Sequence, residues 1–215
     1  MNSSTEKIRA KKKRFLEREE RIVEAARRLF LENGVDNVTV SHIAQRAGIG
    51  KGTVYKHFES KAQIMVRIML DYEKRICANL EKGIDATLNG DPGAAARAYF
   101  QSRLGNPELD RLVQHLEARL EGEPEVEGEM RQLHDVRRST IESLNTMVKE
   151  LIRRNILEDV PPHYHYLACW ALAQGAVEVC FNKGYADQFD DKESLLDFIS
   201  RIGVTMGNRG QLRRQ

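Results

Sequence analysis

The chain of 215 residues is 41% apolar and 31% charged, enough to bury a core and still solvate its surface, which excludes a disordered or fibrous chain. Five prolines, one Trp, six Tyr and seven Phe among long Ala/Leu/Glu/Arg stretches weigh against an all-β fold. A net charge of +2 hides an asymmetry: residues 1–67 hold 15 Lys/Arg against 8 Asp/Glu, and the remainder holds 19 against 24. A basic N-terminal third on an acidic remainder implies that one part meets a polyanion and the other does not.

The longest apolar run, Leu167 to Phe181, is 15 residues and is interrupted by Gln174 and Glu178, too short and too polar for a bilayer. No apolar signal core follows the basic N-terminus, so a cytoplasmic protein is expected. Cys77, Cys169 and Cys180 share no metal-like spacing and read as reduced core thiols.

In chain order, Lys7-Ile8-Arg9-Ala10-Lys11-Lys12-Lys13-Arg14 has no periodic apolar face. It reads as a mobile arm or frayed helical start, either a solvated tail or an arm adding phosphate contacts. From Ile22 the apolar residues Ala26, Leu29 and Phe30 recur at helical spacing, and Asn33-Gly34 supplies a stop. A short helix is expected from Thr39 as N-cap, carrying Ile43, Ala44 and Ala47 and ending at Gly48. A third runs from about Gly52 to Phe58 with Val54 and Phe58 facing inward. Ser60-Lys61-Ala62-Gln63 is a capping box opening a long helix striped by Met65, Ile68, Tyr72, Ile76 and Leu80. Breaks at residues 89–93, 105–107 and 122–124 bound helices of about 92–104, 107–121 and 125–155. Pro161-Pro162 starts another, ending near Lys183-Gly184, and Asp190-Asp191 caps a last one carrying Leu195, Phe198, Ile199, Ile202 and Met206.

Two short helices joined by a Gly-containing turn in a basic segment are what a helix-turn-helix requires. With Val54 and Phe58 buried, helical rotation turns Lys56 outward beside Gly52 and Thr53, with Tyr55 and His57 on the flanks. That donor-rich face suits a DNA major groove.

The segment Val38–Lys61, with Ala-Gly, Lys-Gly-Thr, Tyr-x-His-Phe and Ser-Lys at their spacing, closely resembles the DNA-binding signature of the TetR (tetracycline-repressor-like) family. The likeness extends over residues 18–67. It implies an all-α fold: a basic N-terminal arm (1–17), a three-helix helix-turn-helix domain (18–67), and a larger helical effector-binding and dimerisation domain (68–215), reached through a long helix. Residue by residue, it implies that Lys51, Gly52, Thr53 and Tyr55 approach bases or adjacent phosphates. Thr39, Lys56, His57 and Lys61 match phosphate-side positions. Gly50 replaces the usual Ser or Thr and loses a capping hydroxyl, and His42 stands where an acid commonly completes a capping box with Thr39.

Apolar residues cover almost the whole circumference between Tyr166 and Phe181, which points to two buried faces, one against the core and one against a second copy. Val177, Glu178, Phe181, Phe198 and Ile202 are the candidate dimer residues. Gln174 and Glu178 read as a satisfied polar pair there or as effector recognition. Tyr99, Phe100, His115, Tyr166 and Trp170 are the candidate effector pocket, chosen as aromatic or polar residues on presumed core helices. His163 and His165, two apart on a helix, make no metal pair, and no metal or cofactor is implied.

The expectation is a sequence-specific transcriptional regulator, a dimeric repressor binding an inverted-repeat operator in double-stranded DNA and released by an unidentified small-molecule effector. The alternatives are an activator, an effector-independent DNA-binding regulator, or a helical small-molecule enzyme or carrier. Against the last, no phosphate loop or nucleophile motif is present.

Overall fold

A computed structural model describes residues 3–189 and 191–209. Nine α-helices appear among them: α1 (Ser3–Asn33), α2 (Val40–Arg46), α3 (Lys51–Val54), α4 (Lys61–Leu88), α5 (Ala94–Leu104), α6 (Pro107–Leu120), α7 (Glu127–Arg153), α8 (Pro162–Phe181) and α9 (Lys192–Thr205). Short 3-10 turns lie at Pro124–Val126 and Lys183–Gln188, and the described residues contain no strand. None of the described helices is long and apolar enough to cross a membrane.

The segment expected to be a mobile arm or frayed start is instead continuous with α1 from Ser3. Isolated helices of this length are marginal, but here the nucleus is supplied by the packed half of the same helix, and Lys, Arg, Glu and Ala cost little to add. α1 stops where expected: Gly34 takes a left-handed φ of 77° and donates its N–H to the Phe30 carbonyl at 3.0 Å.

Two compact units emerge. One comprises the residues up to Asp71 with Leu112–Met130; the other comprises Tyr72–Arg111 with the residues from Arg131 onward. α4, α6 and α7 therefore each contribute residues to both units. The first unit buries Ile22, Ala26 and Phe30 of α1, Ile43 and Ala44 of α2, Val54 and Phe58, and Ile64 and Met65 of α4. Leu112, Val113, Leu116 and Leu120 of α6 are buried too. Arg119 pairs with Asp36 in the α1–α2 loop at 2.5 Å, and Gln63 donates to Glu129 at 3.2 Å.

In the second unit, Phe100, Leu104, Ala173, Ala176, Val177, Cys180 and Leu196 form one apolar cluster from α5, α8 and α9. Leu80, Ile84, Ala95, Met147, Val148 and Leu151 form another from α4, α5 and α7. Of the aspartate pair expected to cap the last helix, Asp190 lies outside the described residues. Asp191 caps α9, its carboxylate accepting from the N–H groups of Glu193 and Ser194 at 3.1 and 2.9 Å. The expected capping box at Ser60 closes differently. Ser60 Oγ accepts from Gln63 N–H at 3.2 Å, but the Gln63 amide accepts from Glu59 N–H at 2.8 Å, one residue before the box position.

α9 crosses α5 at Gly203, where a Cβ would stand 2.2 Å from the Phe100 ring. Phe100 is fully buried and cannot retreat. Gly203→Ala is expected to destabilise the chain by about 1–3 kcal/mol through overpacking, read as a lowered midpoint of denaturant unfolding.

Candidate nucleic-acid interface

The reading head is assembled from three short devices. Thr39 caps α2, its hydroxyl accepting from His42 N–H at 3.2 Å, and His42 Nδ1 accepts in return from Thr39 N–H at 3.3 Å. The imidazole thus completes the capping box where an acid commonly stands; an unprotonated ring nitrogen supplies the acceptor that a carboxylate usually gives. Gly48 takes a φ of 67°, the left-handed conformation that ends α2 and turns the chain. Gly50 precedes α3 as its N-cap and has no side chain to cap with, as expected.

α3 has four residues, shorter than the expected run to Phe58, yet backbone bonds from Lys56 to Thr53 and from His57 and Phe58 to Val54 carry the helical turn on. Val54 and Phe58 are buried, at 0% and 6% exposure, so the segment is held from beneath. Lys51, Gly52, Tyr55 and Lys56 are exposed and Thr53 half-buried, which gathers the expected face on one side. Lys51 Nζ lies 5.8 Å from the centre of the Tyr55 ring. A Cβ added at Gly52 would meet nothing within 4 Å.

Two expected phosphate-side residues are placed differently. Lys61 turns inward and donates to the carbonyls of Val35 and Val38, both at 2.8 Å, with Nζ 5.9 Å from the Phe30 ring. Burial lowers its pKa, as does the neighbouring Arg119 charge. This lysine satisfies loop carbonyls near its own N-terminal turn and is withdrawn from the phosphate set. His57 is half-buried, its ring stacked on Phe15 of α1 with centroids 4.0 Å apart, and its Nδ1 is buried without a hydrogen-bond partner among the described residues. Burial pushes its pKa down; Glu19 pulls the other way and Arg18 adds to the depression.

The second unit holds a buried polar cluster that sequence reading missed. Arg103 of α5 and Asp110 of α6 pair with 7% and 1% of their side chains exposed; the second of their two hydrogen bonds measures 2.9 Å. Tyr72 of α4 donates to Asp110, Arg103 donates to the Tyr99 hydroxyl at 2.7 Å, and Gln174 of α8 accepts from Arg103 at 3.4 Å. Burial pushes the Tyr99 pKa up to about 12 and that of Tyr72 higher still, where Asp110 adds to the shift. Burial opposes the Arg103 charge, but its bonds to Asp110 outweigh that and its pKa is raised. The available signal was positional: Arg103 is one helical turn beyond the buried Phe100 on α5, so a charge there had to find a partner.

The five expected pocket residues do not come together. Phe100 is fully buried in apolar core, Tyr99 is half-buried and bound to Arg103, and Tyr166 is half-buried. Trp170 is 52% exposed on α8. His115 is exposed on a part of α6 that belongs to the other compact unit. Helical spacing cannot distinguish an aromatic that packs a core from one that lines a cavity.

Of the expected dimer residues, Glu178, Phe198 and Ile202 are exposed. Val177 is not available: at 0% exposure it belongs to the α5–α8–α9 core. Phe181 is half-buried between Arg111 and Lys192, each 4.8 Å from its ring. α8 does have two apolar faces. The inner one is Ala173, Ala176, Val177 and Cys180, and the outer one is Tyr164, Leu167, Ala168, Ala171 and Gly175. All three cysteines are free, and burial raises the thiol pKa of each, that of Cys169 to about 11.

A short helix-turn-helix presenting a basic face, carried by an otherwise all-helical chain, defines the class. Residues 22–68 match the model of the bacterial regulatory proteins of the tetR family. An HTH-type transcriptional regulator of Staphylococcus aureus is 43% identical over 53 residues, 25% of this chain and 29% of its own. The HTH-type transcriptional regulator TtgR of Pseudomonas putida is 27% identical over 134 residues, 62% of this chain and 63% of its own. The chain thus spans less than two thirds of the length of either relative. The TetR-family regulator PfmR of Thermus thermophilus superposes with a TM-score of 0.66 over 90% of this chain and 97% of its own, at 21% identity. The helix-turn-helix segment is similar to that of the tetR family, and the fold is the one found in solved structures of that family.

Two outcomes follow. Because nothing in the free protein requires a glycine at position 52, Gly52→Ala is expected to leave the melting temperature unchanged or slightly raised, while duplex affinity falls about tenfold, roughly 1.4 kcal/mol. Equal losses in both would place the glycine's role in folding. For His57, a folded-state pKa below the unfolded value of about 6.5 means that its contribution is present above that pH and lost as the pH falls toward the lowered value. Thermal melts between pH 7.5 and 5 should therefore decline less steeply for His57→Gln than for the wild type; parallel declines would contradict the assignment.

Proposed function

We propose that the chain is a sequence-specific DNA-binding transcriptional regulator, acting as a dimeric repressor that a small-molecule effector releases from an inverted-repeat operator. The carrying observation is the segment from Lys51 to Phe58: Lys51, Gly52, Tyr55 and Lys56 exposed directly above buried Val54 and Phe58, within the family-matched residues. In this reading Thr39, Lys51, Gly52, Thr53, Tyr55 and Lys56 meet the duplex. The basic groups supply the salt-dependent part of the affinity, and Thr53 and Tyr55 contribute to sequence choice. Such a protein works in the cytoplasm, where its DNA lies.

The functional division falls near residue 67, with DNA binding before it and effector binding and dimerisation after it. The outer face of α8, with Phe198 and Ile202 of α9, supports a self-complementary contact between two copies. Ala168, Ala171 and Gly175 let the two helices approach closely, while Tyr164, Leu167 and Trp170 supply the area. Two reading heads would then address half-sites about one DNA turn apart. Tyr99 and Tyr166 are the proposed effector-facing residues. Release is a population shift: the effector must bind more tightly to dimers whose heads no longer fit the operator spacing, and α4 is the proposed link.

Selection of sites from random duplex DNA at near-physiological salt tests this reading. An enriched inverted repeat is expected, and enrichment of a single half-site or of nothing would overturn it. Phe198→Glu should also convert a dimer to a monomer by sedimentation, with the repeat then bound only through its separate halves. A variant that remains dimeric would remove α9 from the contact.

A further inference from the structure

We propose that the N-terminal extension of α1 is a second DNA-contacting element, a basic helical rail that takes duplex phosphates beside the half-site read by α3. The inference rests on the DNA-binding reading above and assigns a partner to a surface which that reading leaves unused.

At about 100° per residue, Lys7, Lys11, Arg14, Arg18 and Arg21 fall within an arc of about 80° on α1. No acidic residue enters that arc between positions 7 and 25: Glu6, Glu17, Glu19, Glu20 and Glu24 all project elsewhere. All five cations are exposed, and none is in an ion pair among the described residues. Off the stripe, Lys13 pairs with Glu17 and both Arg27 and Arg28 pair with Glu24, while Arg9 and Lys12 are exposed as the stripe cations are. Within the stripe, like charges stand three or four residues apart, an arrangement that costs helix stability and that a polyanion relieves.

Position supports the partner. Phe15, on the flank of the stripe, stacks on His57 in the turn after α3, and Arg18 lies close enough for its charge to act on the same ring. The extension is therefore continuous with the reading head. Farther along, Arg14, Arg18, Arg21 and Arg28 line an open groove with Arg46 at the end of α2, and Glu17, Glu20 and Glu24 share its lining. From Lys7 to Arg21 the stripe runs roughly 21 Å at 1.5 Å per residue, about six base pairs of duplex. A membrane surface fits less well: Ile8, Phe15 and Leu16 are exposed, but Phe15 is engaged with His57 and Leu16 stands about 100° round the helix from it, so the exposed apolar area is too small to enter a bilayer.

The test is the salt dependence of duplex binding by the full chain and by Lys7→Gln/Lys11→Gln/Arg14→Gln. Gln keeps helix propensity, so circular dichroism should be unchanged. Two 30-base-pair probes are used, one of random sequence and one carrying the repeat enriched by selection. The triple variant should lose about two to three units of the log–log salt slope per protomer on both probes, with the affinity ratio between probes preserved. An unchanged slope on the random duplex overturns the rail even where the wild type still prefers the enriched site. A wild type with no such preference overturns the reading head, while the random-duplex slope still decides the rail. Absence of any salt-dependent duplex binding overturns both. Loss of binding to phosphatidylserine vesicles with the DNA slope intact would assign the stripe to a membrane instead.

Discussion

The proposed DNA-reading face depends on one small apolar contact, the burial of Val54 and Phe58 beneath a helix of four residues. A helix that short has no stability of its own in water, since the cost of nucleation is never recovered. It exists because Ile43 and Ala44 of α2 and the inner faces of α1 and α4 are buried with it in the same unit. The polar residues on its outer side are thereby held without contributing to the packing. The glycine turn at Gly48 and the Thr39–His42 cap set the direction in which that plug is offered. Lys61 closes the arrangement from behind by satisfying two carbonyls of the α1–α2 loop.

The helical layout is legible in the sequence because its punctuation is chemical: Gly34 and Gly48 at helix ends, Asn106-Pro107 before α6, Pro161-Pro162 at the start of α8, and Asp191 at the cap of α9. Lys51, Gly52, Tyr55 and Lys56 are equally legible, because two inward residues four apart determine which way the others face. What escapes is whatever depends on partners distant in sequence. Lys61 resembles a phosphate ligand until the carbonyls of Val35 and Val38 are seen beside it. Val177 and Leu167 are both apolar residues on one apolar helix, and only the fold distinguishes core from outer face. The basic N-terminal run lacks an apolar stripe, so periodicity has nothing to detect, yet it extends a helix nucleated further along the chain.

The second unit poses the opposite problem to the first. Its interior is not wholly apolar: Arg103, Asp110, Tyr72 and Tyr99 form a paired cluster in which each side chain answers another. Pairs of this kind add little net stability over apolar packing, but removing one partner is costly, because the other charge is left buried. Tyr72 and Asp110 sit on α4 and α6, two of the three helices that supply residues to both compact units, at the first and second-last second-unit positions of those helices. A buried polar cluster on those two helices ties their geometry to discrete hydrogen bonds rather than to adjustable apolar contact.

Amide hydrogen exchange of the full chain, with and without a duplex carrying its selected site, tests the central claim most directly. The claim is that a core-anchored turn from Lys51 to His57 is the surface that meets DNA. Binding should slow exchange in residues 39–42 and 51–57. Unaltered exchange at 51–57, with protection confined to α8 and α9, would contradict the account.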